Sequence, residues 1–184
     1  MSASEPHPLL DELDGFKWLG LLSSVEAPFY ELAAGGHDLG VHEWLALGEA
    51  SLGQQILRDP LNLPMVCHRS GRLVGAATIC FTDCDNLCSN LLAVFRDPDE
   101  SQVALSLYLR SVFWNHPLKR LQIEIKDVPA SGPYQRLYRE AGFVLEARTR
   151  AATTTQGEPT DVLVFGLLRQ DYDRWSEKSE RFLL

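Results

Sequence analysis

The chain has 184 residues and a formal net charge of −8, from 17 lysines and arginines against 25 aspartates and glutamates. This acidic balance disfavours broad contact with a nucleic-acid backbone or with an anionic membrane surface. Hydrophobic residues make up 45% of the chain, and no apolar run is long enough to cross a bilayer. Length and composition together predict one globular domain of ordinary size.

The N-terminal residues, Met1 to Pro8, are polar and lack the basic-then-apolar pattern of a secretion signal. We expect residues 1–15 to form a disordered or extended lead in a cytoplasmic protein. Residues 16–184 are predicted to form the single domain.

The segment before Pro64 is weakly patterned. Residues 16–22 are apolar and typical of a short strand, and Ser24 is a suitable N-cap for a helix that ends at Gly35. Glycines interrupt the helical pattern of residues 38–57, which stay unassigned.

The pattern after Pro64 is sharper. Apolar residues recur at helical spacing from Leu105 to Phe113, and they alternate with polar ones from Leu121 to Lys126. In chain order we expect strands 65–68, 72–81 and 87–95, a helix 97–115, a strand 121–126, a helix 131–141, and strands 143–150 and 161–168. This order predicts a mixed α/β sheet with crossover helices and not a doubly wound nucleotide fold.

Four cysteines fall in the predicted strands and turn, at positions 67, 80, 84 and 88. The last three are four residues apart, a spacing that presents one face only on a helix, and no Cys-x-x-Cys pair is present. The sequence therefore favours reduced thiols over a metal site, and we expect no metal.

A helix end runs directly into a strand at Leu137-Tyr138-Arg139-Glu140-Ala141-Gly142-Phe143. Tyr138 lies on the predicted apolar stripe of the helix. Gly142 supplies the left-handed backbone position that commonly ends a helix.

In this order, residues 64–172 resemble the GNAT N-acyltransferase superfamily, and most of all its branch that acetylates protein N-termini, ribosomal proteins and small amines. Four segments carry the resemblance. They are Gly71-Arg72-Leu73-Val74-Gly75, the helix and strand from Phe113 to Ile125, the 137–143 stretch followed by Glu146, and Asp161 leading into residues 162–165. The resemblance implies a mixed, mostly antiparallel α/β sheet that splays at its middle and is flanked by helices.

The resemblance also implies an acyl-CoA co-substrate whose pantetheine arm lies in the opening beside strand 87–95. By position, it assigns CoA contacts to the backbone of Leu92, Ala93 and Val94 and to Arg96, Ser101 and Ser131.

Four positions depart from the family pattern on the donor side, and one of them is Ser101, which stands where the phosphate loop has its second small residue. Asp99 stands where the phosphate loop has its first glycine, although small residues there let backbone N–H groups approach the phosphates. Ser131 replaces an asparagine, and Tyr134 replaces a small residue. Weak CoA binding, a different donor and loss of catalysis are all open alternatives.

The candidate catalytic residues are Tyr138 and Glu124. The resemblance implies that Tyr138 acts as the acid near the thioester sulfur. Glu124 lies on the polar face of a central strand, where burial in a cleft would raise its pKa toward that of a general base. Asp83, Asp85 and Ser89 are weaker alternatives.

We therefore expect an N-acyltransferase that moves an acyl group, in the first instance acetyl, from CoA to a primary amine of a small molecule or peptide. Residues 16–63 would form the acceptor side, and residues 64–172 the core. One alternative keeps the fold but takes its acyl group from a carrier protein or tRNA, through a basic face that includes Lys119, Arg120, Arg136 and Arg139. The other is a non-catalytic binding or regulatory protein. A homodimer is left open.

Overall fold

One eight-stranded sheet runs through the described part of the chain. The structure is a computed structural model that describes residues 12–13, 15–19, 32 and 62–180. The strands are β1 Glu12–Leu13, β2 Phe16–Leu19, β3 Met65–Arg69, β4 Arg72–Asp83, β5 Cys88–Phe95, β6 Arg120–Lys126, β7 Val144–Thr155 and β8 Glu158–Leu168. They lie in the order β1-β2-β3-β4-β5-β6-β8-β7.

Three helices belong to the described residues, and none of them is long and apolar enough to span a membrane. They are α1 Gln102–Asn115, α2 Gly132–Glu140 and α3 Arg169–Glu180. Short 3₁₀ turns precede α1 at Pro98–Glu100 and α2 at Pro129–Ser131. The helix predicted from Ser24 and most of the predicted acceptor-side segment lie outside the described residues.

The main hydrophobic cluster lies on one face of the sheet. Alternate strand residues such as Ile79, Leu91, Ala93 and Ile123 belong to a single cluster with the helices, as the two-residue period of a strand requires. The predicted stripe of α1 is buried in this cluster, as are the inward residues of α2. Both predictions for these helix faces are confirmed.

The sheet splits between β5 and β6, which form its one parallel pairing among the described strands. The two strands pair only at Cys88–Arg120, Ser89–Leu121 and Asn90–Gln122. Beyond these residues β5 continues against β4 and β6 continues against β8. The predicted mixed, mostly antiparallel sheet with a splayed middle is confirmed.

The sequence analysis underestimated the last hairpin. Residues 151–159, which fall between the predicted strands 143–150 and 161–168, mostly extend β7 and β8, and the turn is confined to Gln156-Gly157, at φ 52° and 85°. Three consecutive β-branched threonines precede this turn, and a two-residue turn with positive φ suits a tight hairpin.

The sequence analysis also missed α3, whose apolar periodicity is weak. This helix is held by two side chains near its start. Tyr172 stacks on Phe113 of α1, with ring centroids 4.5 Å apart. Arg169 donates to the carbonyl oxygens of Phe113 at 2.7 Å and His116 at 2.9 Å, so it caps the C-terminal end of α1.

The contact between Gly75 and Phe95, which pair across β4 and β5, makes a first testable prediction. A Cβ on Gly75 would collide with the Phe95 ring and lie 3.2 Å from the Val94 carbonyl oxygen. We expect Gly75→Ala to lower the free energy of unfolding by about 1–3 kcal/mol through overpacking, measured by urea denaturation. Gly132→Ala is the matched control, because nothing lies within 4 Å of its added Cβ. Equal stabilities of the two variants would contradict this placement of Phe95.

Candidate active site

Helix α2 covers the opening where β5 and β6 part. Two of its tyrosines bring their hydroxyls to the unpaired edge of β5. The Tyr134 hydroxyl donates to the carbonyl oxygen of Phe95 at 2.7 Å and accepts from the backbone N–H of the same residue at 2.9 Å. The Tyr138 hydroxyl donates to the carbonyl oxygen of Ala93 at 3.3 Å. The two phenols therefore satisfy the strand edge that the splay leaves open.

Both tyrosines are almost fully buried, at 2% exposure for Tyr134 and 1% for Tyr138. Burial raises the pKa of Tyr134 to about 12. Burial, together with the neighbouring Tyr134, raises the pKa of Tyr138 well above 10. Because both phenols keep their protons at neutral pH, each can act as a hydrogen-bond or proton donor.

The backbone N–H and C=O groups of neighbouring residues in β5 point to opposite sides of the strand. The Ala93 carbonyl and both backbone polar groups of Phe95 bond to α2, so by the alternation along a strand those of Leu92 and Val94 face β4 and not the opening. Of the three residues predicted to hold the donor arm, Ala93 alone turns its carbonyl toward the gap. Phe95, which the sequence analysis did not name, also faces the gap. The two-residue alternation of a strand is the signal that could have identified it.

The turn before α1 uses two of its own backbone donors internally. The Asp97 carboxylate accepts from the Asp99 N–H at 3.1 Å, and the Ser101 N–H donates to the Pro98 carbonyl at 3.1 Å. The Ser101 hydroxyl, a predicted CoA contact, donates to the Asp97 carbonyl, and Pro98 has no N–H. This turn differs from an open phosphate cradle, whose backbone donors must be free.

An ion pair ties this turn to α2. Arg136 donates to the Asp99 carboxylate at 2.9 Å, and both side chains are 58% exposed. The carboxylate that stands in place of the expected glycine is therefore matched by a cation from the next element. A pair this exposed is screened by water and salt, so it is a weak tether.

The other predicted donor contacts are also engaged within the protein. The Arg96 guanidinium donates to the Leu73 carbonyl oxygen at 3.1 Å. Ser131 is buried, donates to the Val128 carbonyl at 2.8 Å and accepts from Gln135 at 3.0 Å. Their role in holding a donor stays a prediction.

Arg96 also lines a cavity beside the turn. The cavity measures about 260 Å³ and adjoins three arginines and two acids. Its lining is Phe16, Arg69, Arg72, Val74, Arg96, Asp97, Glu100 and Ser101. Arg69 pairs with Glu100 at 3.3 Å, so part of the positive charge is already compensated.

Glu124 lies on the face of β6 opposite Ile123 and Ile125, and it is exposed rather than buried as the sequence analysis expected. It ends a chain of polar side chains on that face. Gln122 donates to Glu124 at 3.0 Å, and Arg120 donates to Gln122 at 3.2 Å and to Glu146 at 2.7 Å. These hydrogen bonds orient the Glu124 side chain near the point where β5 and β6 part.

The alternative candidates for the base have structural partners. Asp83 accepts from the N–H groups of Asp85 and Asn86, each at 3.0 Å, and these bonds lower its pKa. Ser89 is buried and donates to the Cys80 carbonyl at 3.0 Å. Both residues stabilise the turn and strand that they occupy.

All four cysteines are free thiols. Burial raises the pKa of Cys67 and of Cys80 to about 12, so these two are unreactive at neutral pH. Within the described residues, no group of three or more His, Cys, Asp or Glu side chains is placed to hold a metal ion.

The fold is also found in solved structures, although no protein-family model matches the chain. A spermidine N-acetyltransferase from Vibrio cholerae, in complex with CoA and spermine, is 14% identical, covers 86% of this chain and 98% of its own, and has a TM-score of 0.70. A GCN5-related N-acetyltransferase from Brucella melitensis is 14% identical, with 97% and 87% coverage and a TM-score of 0.68. Mycobacterium smegmatis RimJ, in complex with CoA-disulfide, is 14% identical, with 89% coverage of each chain and a TM-score of 0.65.

These similarities establish the fold. The chain has the architecture of the GCN5-related N-acetyltransferases, and the predicted superfamily resemblance is confirmed at this level.

The ion pair between Arg120 and Glu146 makes a second prediction. Hydrogen bonding from Arg120 lowers the pKa of Glu146 below its usual 4.5. The pair therefore stabilises the fold above that value, and its contribution is lost as pH falls through the lowered pKa. We expect Glu146→Gln to lower the free energy of unfolding by less than ~1 kcal/mol at about pH 7, because the pair is partly exposed. This deficit should disappear well below pH 4.5, and the melting temperature of variant and wild type at each pH measures it. Glu158→Gln, on an exposed hairpin residue, is the control, and a pH-independent deficit in Glu146→Gln would exclude the ion pair as its cause.

Proposed function

We propose that the protein is an N-acetyltransferase that moves an acetyl group from acetyl-CoA to a primary amine. The observation that carries the proposal is the parting of β5 and β6 with the Tyr138 hydroxyl at its edge. A strand edge without a strand partner can pair with the amides of an extended ligand, as an added strand would. The CoA complexes of the Vibrio and Mycobacterium proteins support the choice of donor by analogy of fold.

Tyr138 is the proposed proton donor. Transfer from a thioester to an amine requires a proton for the departing sulfur. A buried phenol whose pKa is raised holds its proton until a stronger base forms beside it. Its hydrogen bond to Ala93 is long, at 3.3 Å, so the hydroxyl can turn to another partner at small cost.

Glu124 is the proposed proton acceptor for the amine. Its carboxylate is exposed on the face of β6 opposite the core, two residues beyond the last pairing with β5. The hydrogen bond from Gln122 orients it. An exposed carboxylate attracts a cationic amine and can take its proton directly or through one water.

The acceptor is proposed to be a small amine or a peptide N-terminus. A net charge of −8 favours encounter with cationic molecules over anionic ones. An acyl-tRNA or carrier-protein donor is anionic over a far larger surface than CoA, and a net charge of −8 disfavours such broad contact. The cytoplasmic location stays a prediction.

A second candidate function is a non-catalytic binding protein with this fold. The turn before α1 favours it, because Asp97, Pro98 and Ser101 leave few backbone donors for a phosphate. The Asp99 carboxylate adds repulsion that Arg136 only partly offsets.

The Tyr138→Phe variant tests the enzyme proposal. Acetyl transfer to a panel of amines is measured through the release of free CoA thiol. We expect the wild type to be active, and kcat of the variant to be lower by about 10²-fold or more, with the KM for acetyl-CoA little changed. Tyr108→Phe is the matched control, because this buried phenol donates to the Leu63 carbonyl at 3.0 Å instead. Wild-type protein that neither turns over acetyl-CoA nor binds millimolar CoA by calorimetry would favour the binding protein.

The Glu124→Gln variant tests the acceptor side separately. Because the amide cannot take a proton, we expect kcat to fall by about 10²-fold and the acidic limb of the pH–rate profile to disappear. Asp173→Asn, an exposed carboxylate on α3, should leave the profile as it is. A variant profile identical to that of the wild type would assign the base to another residue.

A further inference from the structure

We propose that Tyr134 closes the donor cleft, so that the acyl donor binds only after this side chain leaves β5. The inference rests on the proposed function and adds a residue that controls access of the donor. It concerns a position that none of the catalytic roles above requires.

Tyr134 occupies the backbone atoms of β5 that a donor arm would use. Tyr134 uses both the N–H and the carbonyl oxygen of Phe95, which are the groups that the splay leaves without a strand partner. An extended arm with amide groups would need this edge of β5 for its own hydrogen bonds. The phenol and the arm cannot occupy the edge together, and the described structure has the edge closed.

Contacts near the start of α2 hold Tyr134 against β5. Tyr134 lies in the first turn of the nine-residue helix α2, which begins at Gly132. Its ring lies 6.1 Å from that of Tyr138 between centroids. One half-turn later, the exposed pair between Arg136 and Asp99 fastens the helix to the turn before α1. The closure thus depends on two hydrogen bonds, on the burial of the Tyr134 ring in the core cluster and on a solvent-screened ion pair, so opening requires the ring to leave its packing site.

The consequence is a penalty on the apparent affinity for the donor. If only a fraction of molecules has Tyr134 away from β5, the observed dissociation constant is the intrinsic value divided by that fraction. Removing the phenol abolishes the penalty. Tyr138 differs from Tyr134, because its single long hydrogen bond leaves its hydroxyl free to turn toward the ligand.

The test is calorimetry with CoA on the full chain of the wild type, Tyr134→Ala and Tyr134→Phe. We expect Tyr134→Ala to tighten binding by about tenfold or more. Tyr134→Phe keeps the ring but loses both hydrogen bonds to Phe95, so it should tighten binding by a smaller factor, about twofold to tenfold. Tyr108→Phe, a buried tyrosine bonded to the Leu63 carbonyl, should bind as the wild type does.

Hydrogen–deuterium exchange provides a readout that does not depend on CoA. The Phe95 amide loses its acceptor in Tyr134→Phe, so its exchange should be faster than in the wild type. If Tyr134→Ala fails to fold, Tyr134→Phe carries the test alone: faster exchange at Phe95 with unchanged CoA affinity would overturn the closure.

The outcomes separate the two proposals. Wild type and both variants binding CoA with one affinity would overturn the role of Tyr134 and leave the proposed donor standing. Absence of CoA binding in every variant, with Tyr134→Ala shown to be folded by circular dichroism, would overturn the donor and, with it, the closure. Tighter binding in the order wild type, Phe, Ala would support both.

Discussion

The unpaired edge of β5 is the constraint on which the rest of the site depends. β5 and β6 separate after Asn90 and Gln122, so the strand passes through the interior with backbone polar groups that have no strand partner. A buried backbone group without a partner costs about 1–3 kcal/mol, so something must cover this edge. The covering groups are phenol hydroxyls from α2, and this requirement sets how that helix lies against the sheet.

The same requirement joins stability to function. The Tyr134 hydroxyl stabilises the protein by bonding to the Phe95 backbone, and it competes with any ligand that needs the same backbone atoms. The turn before α1 follows the same principle, since Asp97 and Ser101 use its polar groups internally and Asp99 pairs with Arg136. At the edge of β5 and at the turn before α1, the protein uses internally the polar atoms that the proposed acyl donor would need.

Much of the fold could be predicted because its signals are local. The helix stripe from Leu105 to Phe113 and the stop at Gly142 depend on residue spacing and on backbone conformation. The failures have local causes too. The turn at Gln156-Gly157 was hidden in a polar stretch, and the aromatic residues of α3 that pack against the core, Tyr172 and Trp175, stand among mostly polar residues. Glu124 was placed on the correct face of its strand, but alternation alone cannot tell a cleft from open solvent.

The sequence by itself determined that Tyr138 lies on a buried helix face, that a strand follows Gly142, and that Asp99 and Tyr134 depart from the pattern of the family it resembles. Only the tertiary structure decided what those residues touch. The bond between Tyr134 and Phe95 joins positions 39 residues apart, and it depends on where two strands stop pairing. Hydrogen-bond direction along β5 depends on its register with β4. Such long-range geometry is set by packing of the whole domain, and no local pattern of residues encodes it.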